Sequence, residues 1–316
     1  MARVDLIVPT YNGTPYLLAC LQTLTASSYT DFKLIIFDDG SDQPVDKEVI
    51  GLFPAATIMR VERNVGLTRA FNAAIDSSSS EFVVLLNNDT KIEKDWLAQL
   101  VSCADRNPGA GSVASKLRLA SDRHTLHSAG DTYSVRGMPG NRGVWLDDFG
   151  QYDTDGEIFS ACAGAALYRR AALEAVRLSN GDIFDTRLFM YCEDVDLGWR
   201  LQRAGYRCVF SPKAIVYHHL SATGGGNFAS YYVARNIWLV LARSVPSQIR
   251  RRYWLRMAAY HLGRVVRAVR SIREPAARRS LTGTLHGVAA FIVSRKDSPD
   301  VTPHELHRIL ELLLDR

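Results

Sequence analysis

A chain of 316 residues that is 47% hydrophobic and 22% charged has material for one large domain or two, and its composition excludes a disordered protein. The net charge of +5 hides an asymmetry, since eleven arginines stand between Arg243 and Arg279 against the single acid Glu274. No apolar run reaches the roughly 18 residues of a membrane span, the start Val4-Asp5-Leu6-Ile7-Val8 reads as a strand rather than a signal peptide, and the five scattered cysteines lack the CxxC spacing of a zinc site or a disulfide framework. A cytoplasmic chain with reduced thiols is expected.

Val4 to Val8 runs into Pro9-Thr10-Tyr11-Asn12-Gly13, after which Leu17, Leu18, Leu21 and Leu24 recur at helical spacing between Pro15 and about Ser27. A second strand, Phe32 to Phe37, ends in Asp38-Asp39-Gly40-Ser41. Thr57 to Val61 reads as a third, and Asn64-Val65-Gly66-Leu67 leads into a helix carrying Ala70, Ala73, Ala74 and Ile75. A continuous apolar run, Phe82 to Leu86, follows the short serine loop and ends in Asn87-Asn88-Asp89-Thr90; such a run is a strand buried on both faces. Strands alternating with helices predict an α/β fold with a doubly wound, mainly parallel sheet. Its strand tips then line the edge at which open α/β folds bind ligands. Asp89, a carboxylate on a rigid element between amides and a hydroxyl, suits a hard divalent cation that also holds phosphate oxygens.

Arg118 to Glu157 is rich in Gly, Arg and Asp without periodicity, and reads as a long irregular excursion bordering a site, with His124 and His127 as surface histidines. Phe159 to Tyr168 reads as a strand of small residues in which Gly164 leaves room for a ligand against the backbone or for close strand–helix packing. Leu197, Leu201 and Ala204 mark the buried face of a helix ending at Gly205, which puts Glu193 and Asp194 in its first turn. Two further strands, Cys208 to Phe210 and Ala214 to His219, precede Gly224-Gly225-Gly226, which reads as a mobile loop able to close over a ligand. Tyr231, Tyr232, Arg235 and Asn236 then begin a helix with phosphate-binding potential.

Five motifs in order, Val8-Pro9-Thr10-Tyr11-Asn12, Asp38-Asp39-Gly40-Ser41, Asn64-Val65-Gly66, Asn87-Asn88-Asp89-Thr90 and Glu193-Asp194-Val195-Asp196-Leu197, resemble those of the family 2 glycosyltransferases, and the Asn-Asn-Asp-Thr form resembles the bacterial rhamnosyltransferase branch. The resemblance implies a GT-A fold, a nucleotide-sugar donor and inversion at the anomeric carbon. Pro9, Tyr11 and Asp39 would meet the pyrimidine of a dTDP- or UDP-sugar, with Asn64, Gly66, Asn72, Asn87, Asn88 and Gly164 around the rest of the donor. Asp89 and His218 would hold Mg²⁺ or Mn²⁺, His219 being the alternative ligand, and Asn87 stands where the family often has an aspartate. Asp194 would be the general base, with Glu193 and Trp199 on the acceptor side, and the acceptor a glycan or a lipid-linked sugar. A nucleotidylyltransferase would need a Gly-rich, basic phosphate signature near the N-terminus, which Pro9-Thr10-Tyr11-Asn12 is not. A non-catalytic glycan- or lipid-binding protein with a decayed site is the remaining alternative.

Residues 1–235 then form the catalytic domain and 236–316 a basic helical extension, in which Trp238, Tyr253, Trp254 and Val266 are interspersed with the arginines. A basic amphipathic stretch with interfacial aromatics fits an anionic membrane surface, here the inner face of the cytoplasmic membrane. Packing on the catalytic domain or in a homo-oligomer explains it equally, and no nucleic-acid partner is expected. Val301-Thr302-Pro303 opens a last short helix reaching Leu314.

Overall fold

The computed structural model describes residues 2–220, 226–294 and 300–315. The elements in order are β1 (Val4–Thr10), α1 (Thr14–Leu24), β2 (Phe32–Asp38), α2 (Asp46–Leu52), β3 (Thr57–Arg60), α3 (Leu67–Asp76), β4 (Phe82–Leu86), β5 (Thr90–Ile92), α4 (Trp96–Arg106) and β6 (Ala110–Leu119). There follow β7 (Leu126–Ser128), β8 (Asp131–Ser134), β9 (Met138–Asn141), β10 (Gly156–Ile158), β11 (Ala165–Arg169), α5 (Arg170–Ala175), α6 (Glu193–Arg203) and β12 (Arg207–His218). The chain ends in α7 (Gly226–Arg243), α8 (Ser247–Arg270), α9 (Pro275–Ser294), α10 (Pro303–Leu312) and the two-residue β13 (Leu313–Leu314).

The central sheet runs β10-β12-β6-β11-β4-β1-β2-β3. β1, β2, β3 and β4 are mutually parallel where they pair, while β11 runs antiparallel to both β4 and β6. This is the GT-A arrangement, mainly parallel, with β11 reversed inside the sheet and β10 reversed at its edge. From β1 the chain moves outward through β2 and β3, then returns to place β4 on the other side of β1. The order therefore reverses between β1 and β4, and a crevice opens beyond their C-terminal tips. Both faces are packed: Leu6, Val84 and Leu86 point into a cluster with α1 and α4, and Ile7, Val83 and Leu85 into one with α3 and α6. Successive residues of a strand face opposite ways, which is why these strands read as unbroken apolar runs.

Several elements differ from the sequence reading. The expected strand from Phe159 begins only at Ala165, because the residues before it form the turn that reaches the site. The two strands expected around Pro212 are one strand, β12, whose pairing with β6 shifts register between Ser211 and Ile215, as proline requires of a ladder it cannot join. The excursion after β6 is partly ordered as β7, β8, β9 and β10. It is held by a buried ion cluster in which Lys116, 1% exposed at its side chain, meets Asp148 at 3.0 Å and also Asp153, and Arg118 reaches the same Asp148.

The boundary expected at 235/236 falls inside α7, one continuous helix. α9 lies against α7 so closely that a Cβ on Gly283 would stand 2.3 Å from the Tyr231 carbonyl oxygen, and one on Gly287 2.6 Å from that of Arg235. Two glycines four apart on one helix face permit this approach, which no larger residue does. α8, by contrast, buries only Ile249, Met257 and His261 along its length, and no described helix is long and apolar enough to cross a membrane.

Candidate active site

Two cavities meet beyond the tips of β1 and β4. The first, of about 560 Å³, is lined by Pro9, Thr10 and Tyr11 after β1, Asp39 after β2, Asn64 and Gly66 before α3, and Asn87 to Asp89 after β4, with Phe189 and Phe228 opposite. The second, of about 430 Å³, takes in His127, Asp131, Gly164, Glu193, Asp194 and His218. Leu67, Asn87, Asp89 and Met190 belong to both. Asn88 ties the two strand tips together, donating its amide to Thr10 Oγ1 at 3.0 Å.

In the first cavity the Asp39 carboxylate accepts the N–H groups of Val65 and Gly66 at 2.7 and 3.0 Å, and so fixes the turn ahead of α3. Burial raises its pKa and these two bonds oppose the rise. Each oxygen keeps a lone pair for a further donor. Gly66 has φ +93°, and a Cβ there would fall 2.4 Å from the Phe189 ring, so only glycine lets that ring close the wall. Asp38 has a different job: it is buried and paired with Arg60 while accepting the Ser41 N–H at 2.9 Å.

Asp89 is 6% exposed, and its Oδ1 lies 3.1 Å from His218 Nε2. The pairing of β12 with β5 brings them together, since His218 stands opposite Thr90. His219 turns the other way, toward the Tyr16 ring at 5.8 Å. His127 is not the surface histidine expected: its Nδ1 is 3.1 Å from His218 Nδ1, and burial followed by the charge of His218 pushes its pKa down to about 4. A hydrogen bond between the two Nδ1 atoms needs one donor and one acceptor, so the tautomer of His127 bears on whether His218 Nε2, the nitrogen facing Asp89, carries a hydrogen. A carboxylate oxygen and a neutral imidazole nitrogen converging in this way fit Mn²⁺ or Mg²⁺, with the remaining positions left to phosphate oxygens and water. A second cluster, Asp131, Cys162 and Asp194, brings its ligand atoms within 4.8 Å of one another. Burial raises the pKa of all three groups and so disfavours their charged forms.

Asp194 sits in the first turn of α6, its Oδ1 accepting the Val195 N–H at 2.8 Å and its Oδ2 the Ala163 N–H at 3.2 Å. Burial raises its pKa, and these bonds oppose the rise. Glu193 beside it has no partner for Oε2, and burial followed by the charge of Asp194 pushes it up to about 8. Asp131 is raised well above the usual carboxylate range by burial and then by Asp194. Of the three neighbouring carboxyl groups, Asp194 is held by the Val195 and Ala163 N–H groups, which favour its charged form. Asp131 escaped the sequence reading because it lies in the aperiodic stretch after β6, with no motif to mark it.

Three expected residues lie elsewhere. Trp199 is fully buried, edge-on to Tyr133 and Phe159 with ring centroids 4.9 Å from each, because its place on α6 faces the core rather than the acceptor side. Asn72 is spent on backbone: its Oδ1 accepts the Ile183 and Phe184 N–H groups at 3.1 and 2.8 Å, and its amide donates to the Phe184 carbonyl at 2.8 Å. Asn236 is fully buried and donates to three carbonyls, so it has nothing left for a phosphate. Of the triple-glycine loop, Gly224 and Gly225 lie outside the described residues.

A family profile described as Glycosyl transferase family 2 matches residues 5–177. The chain is 27% identical over 258 residues to the N-acetylglucosaminyl-diphospho-decaprenol L-rhamnosyltransferase of Mycobacterium tuberculosis, covering 74% of this chain and 81% of that one. It is 29% identical over 230 residues to an N-acetylglucosaminyltransferase of Rhizobium meliloti, covering 68% of this chain and 51% of that one. The chain thus spans about half or less of the length of several curated relatives it matches. In fold it is similar to the Pyrobaculum calidifontis mannosyltransferase solved with GDP-Man and Mn²⁺, at TM-score 0.55 and 17% identity over 93% of this chain and 87% of that one. Motif order, sheet order and profile agree, and the chain belongs to glycosyl transferase family 2.

Proposed function

We propose that the chain is an inverting, metal-dependent glycosyltransferase that moves a sugar, rhamnose from dTDP-rhamnose, onto a hydroxyl of a lipid-linked or polysaccharide acceptor in bacterial cell-surface glycan synthesis. The observation that carries this reading is the shared wall: Asp89 lines both cavities, so a diphosphate held there leaves the attached sugar facing Asp194. Tyr11 and the backbone of Pro9 flank the base, and Asp39 accepts the imide N–H of thymine or uracil. Asn64 and Gly66 close the turn over the nucleotide, and Asn87, Asn88 and the backbone of Gly164 border the sugar. Asp89 and His218 would hold the Mg²⁺ or Mn²⁺, which when bound offsets the charge that grows on the departing diphosphate. Asp194 takes the proton of the acceptor hydroxyl as that oxygen attacks the anomeric carbon from the opposite side. Glu193, neutral near pH 7, donates a hydrogen bond to the acceptor.

The mycobacterial relative, matched over most of its length, supports the rhamnosyl donor. The rhizobial relative supports a second reading, a UDP-sugar donor such as UDP-N-acetylglucosamine. A panel of dTDP-rhamnose, UDP-N-acetylglucosamine, UDP-glucose and GDP-mannose with Mn²⁺, scored by free nucleoside diphosphate, separates them. Release from dTDP-rhamnose is expected; preference for a UDP-sugar overturns the donor, and no release from any overturns the enzyme.

The extension supports a peripheral place on the inner face of the cytoplasmic membrane. Arg252, Arg270 and Arg273 are exposed there with Trp254, Leu255 and Leu262, and basic side chains near an anionic surface contribute about 1 kcal/mol each. Replacing these three arginines by glutamate is expected to release the protein from phosphatidylglycerol vesicles in co-sedimentation. Equal binding by the two proteins would discard the membrane in favour of a subunit contact.

A further inference from the structure

The segment that delivers Glu193 and Asp194 is strained. Phe189, Tyr191 and Cys192 have φ of +66°, +66° and +65°, a region that non-glycine residues avoid and keep only where their surroundings over-determine it. Much of that determination comes from one side chain. Asn236 Nδ2 donates to the carbonyls of Leu188, Met190 and Tyr191 at 2.9, 2.9 and 2.7 Å, and its Oδ1 accepts from Arg235 Nε at 2.9 Å. An amide has two hydrogens, so three carbonyls share them and the group is fully committed. Arg235 adds contacts to the carbonyls of Arg187 and Leu188. Both residues lie on α7, on the stretch whose backbone α9 approaches through Gly283 and Gly287.

The strained segment touches both sides of the site. Phe189 and Met190 line the first cavity, and Cys192 is the N-cap residue of the helix that starts with Glu193 and Asp194. We infer that Asn236 is a positioning residue for transfer: it fixes the 188–192 turn, and through it α7 and the C-terminal helix α9 set the distance of Asp194 from the Asp89 wall. This rests on the reading of Asp194 as the base. A displacement of about 1 Å in a reacting group costs on the order of 10²-fold in rate. Tyr11, Asp39 and Asp89 stand on other elements, and the turn meets the first cavity only through the wall residues Phe189 and Met190, so nucleotide affinity should depend on the turn far less than kcat does.

Asn236→Ala is therefore expected to lower kcat about 100-fold while the Kd for dTDP with Mn²⁺ stays within about threefold. Amide hydrogen exchange across residues 189–195 should accelerate with that of β1 and β4 unchanged. Gly283→Ala, which disturbs only the α7–α9 contact, should move exchange and kcat in the same direction by less, and decides the matter if Asn236→Ala fails to fold. A kcat within about threefold of wild type, dTDP affinity falling in step with kcat, or unchanged exchange at 189–195 in both variants would overturn the inference. Faster exchange in a protein whose wild type turns over no nucleotide sugar would instead sink the transferase reading and leave the dependence of the turn on Asn236 standing.

Discussion

Asp194→Asn is expected to slow sugar transfer by about 10³-fold and to leave the affinity for dTDP and Mn²⁺ unchanged. The amide keeps the shape of the carboxylate and one of its two backbone bonds, but it cannot take a proton from an attacking hydroxyl. It lies in the second cavity, apart from the residues around the nucleotide. The wild-type pH profile follows from the same site. Burial raises the Asp194 pKa, so kcat should fall on the acid side at a higher pH than an exposed aspartate would give, because the base is protonated below that point. Burial and then the charge of Asp194 push Glu193 up to about 8, toward its neutral form. Glu193→Gln, which mimics that neutral form, should keep far more activity than Asp194→Asn. Turnover by Asp194→Asn within about tenfold of wild type would remove Asp194 from the base role.

What the sequence disclosed about this site depended on the kind of element each residue occupies. Asp39 and Asp89 stand at the ends of strands buried on both faces, and an unbroken apolar run announces both the strand and the tip where it stops. Glu193 and Asp194 open a helix whose apolar spacing is plain, so their placement was legible as well. Asp131 and His127 were not, because their segment is held by the Lys116–Asp148 ion cluster and by pairing with β6 rather than by periodic burial. Sequence spacing carries no record of such long-range contacts. Trp199 and Asn72 show the reverse error: each belongs to a residue type that sites favour, yet α6 turns Trp199 into the core, and Asn72 serves the backbone of residues 183–184. Neighbourhood in the chain gives position along a helix, and only packing decides which face meets the cavity.

Asp89→Ala should remove the Mn²⁺-dependent part of nucleotide binding, a loss of about 100-fold or more, with metal-free affinity unaltered. The argument is one of ligand number. Asp89 and His218 bring an oxygen and a nitrogen together where the cavities meet, and the neighbouring amide of Asn87 adds no charge. An ion held by these two residues would depend on the diphosphate for much of its shell, so losing Asp89 would remove the charged one of the pair. His218→Ala should cost less than Asp89→Ala, since it removes a neutral ligand. His127→Ala should cost less again, on the order of 10-fold, because it frees the His218 ring to turn without removing a ligand. Calorimetry with dTDP, run with Mn²⁺ and with a chelator, reads all three. A Mn²⁺ increment that survives Asp89→Ala would mean that the cation is held by the nucleotide alone, and the order Asp89, His218, His127 would then collapse to three equal and small effects.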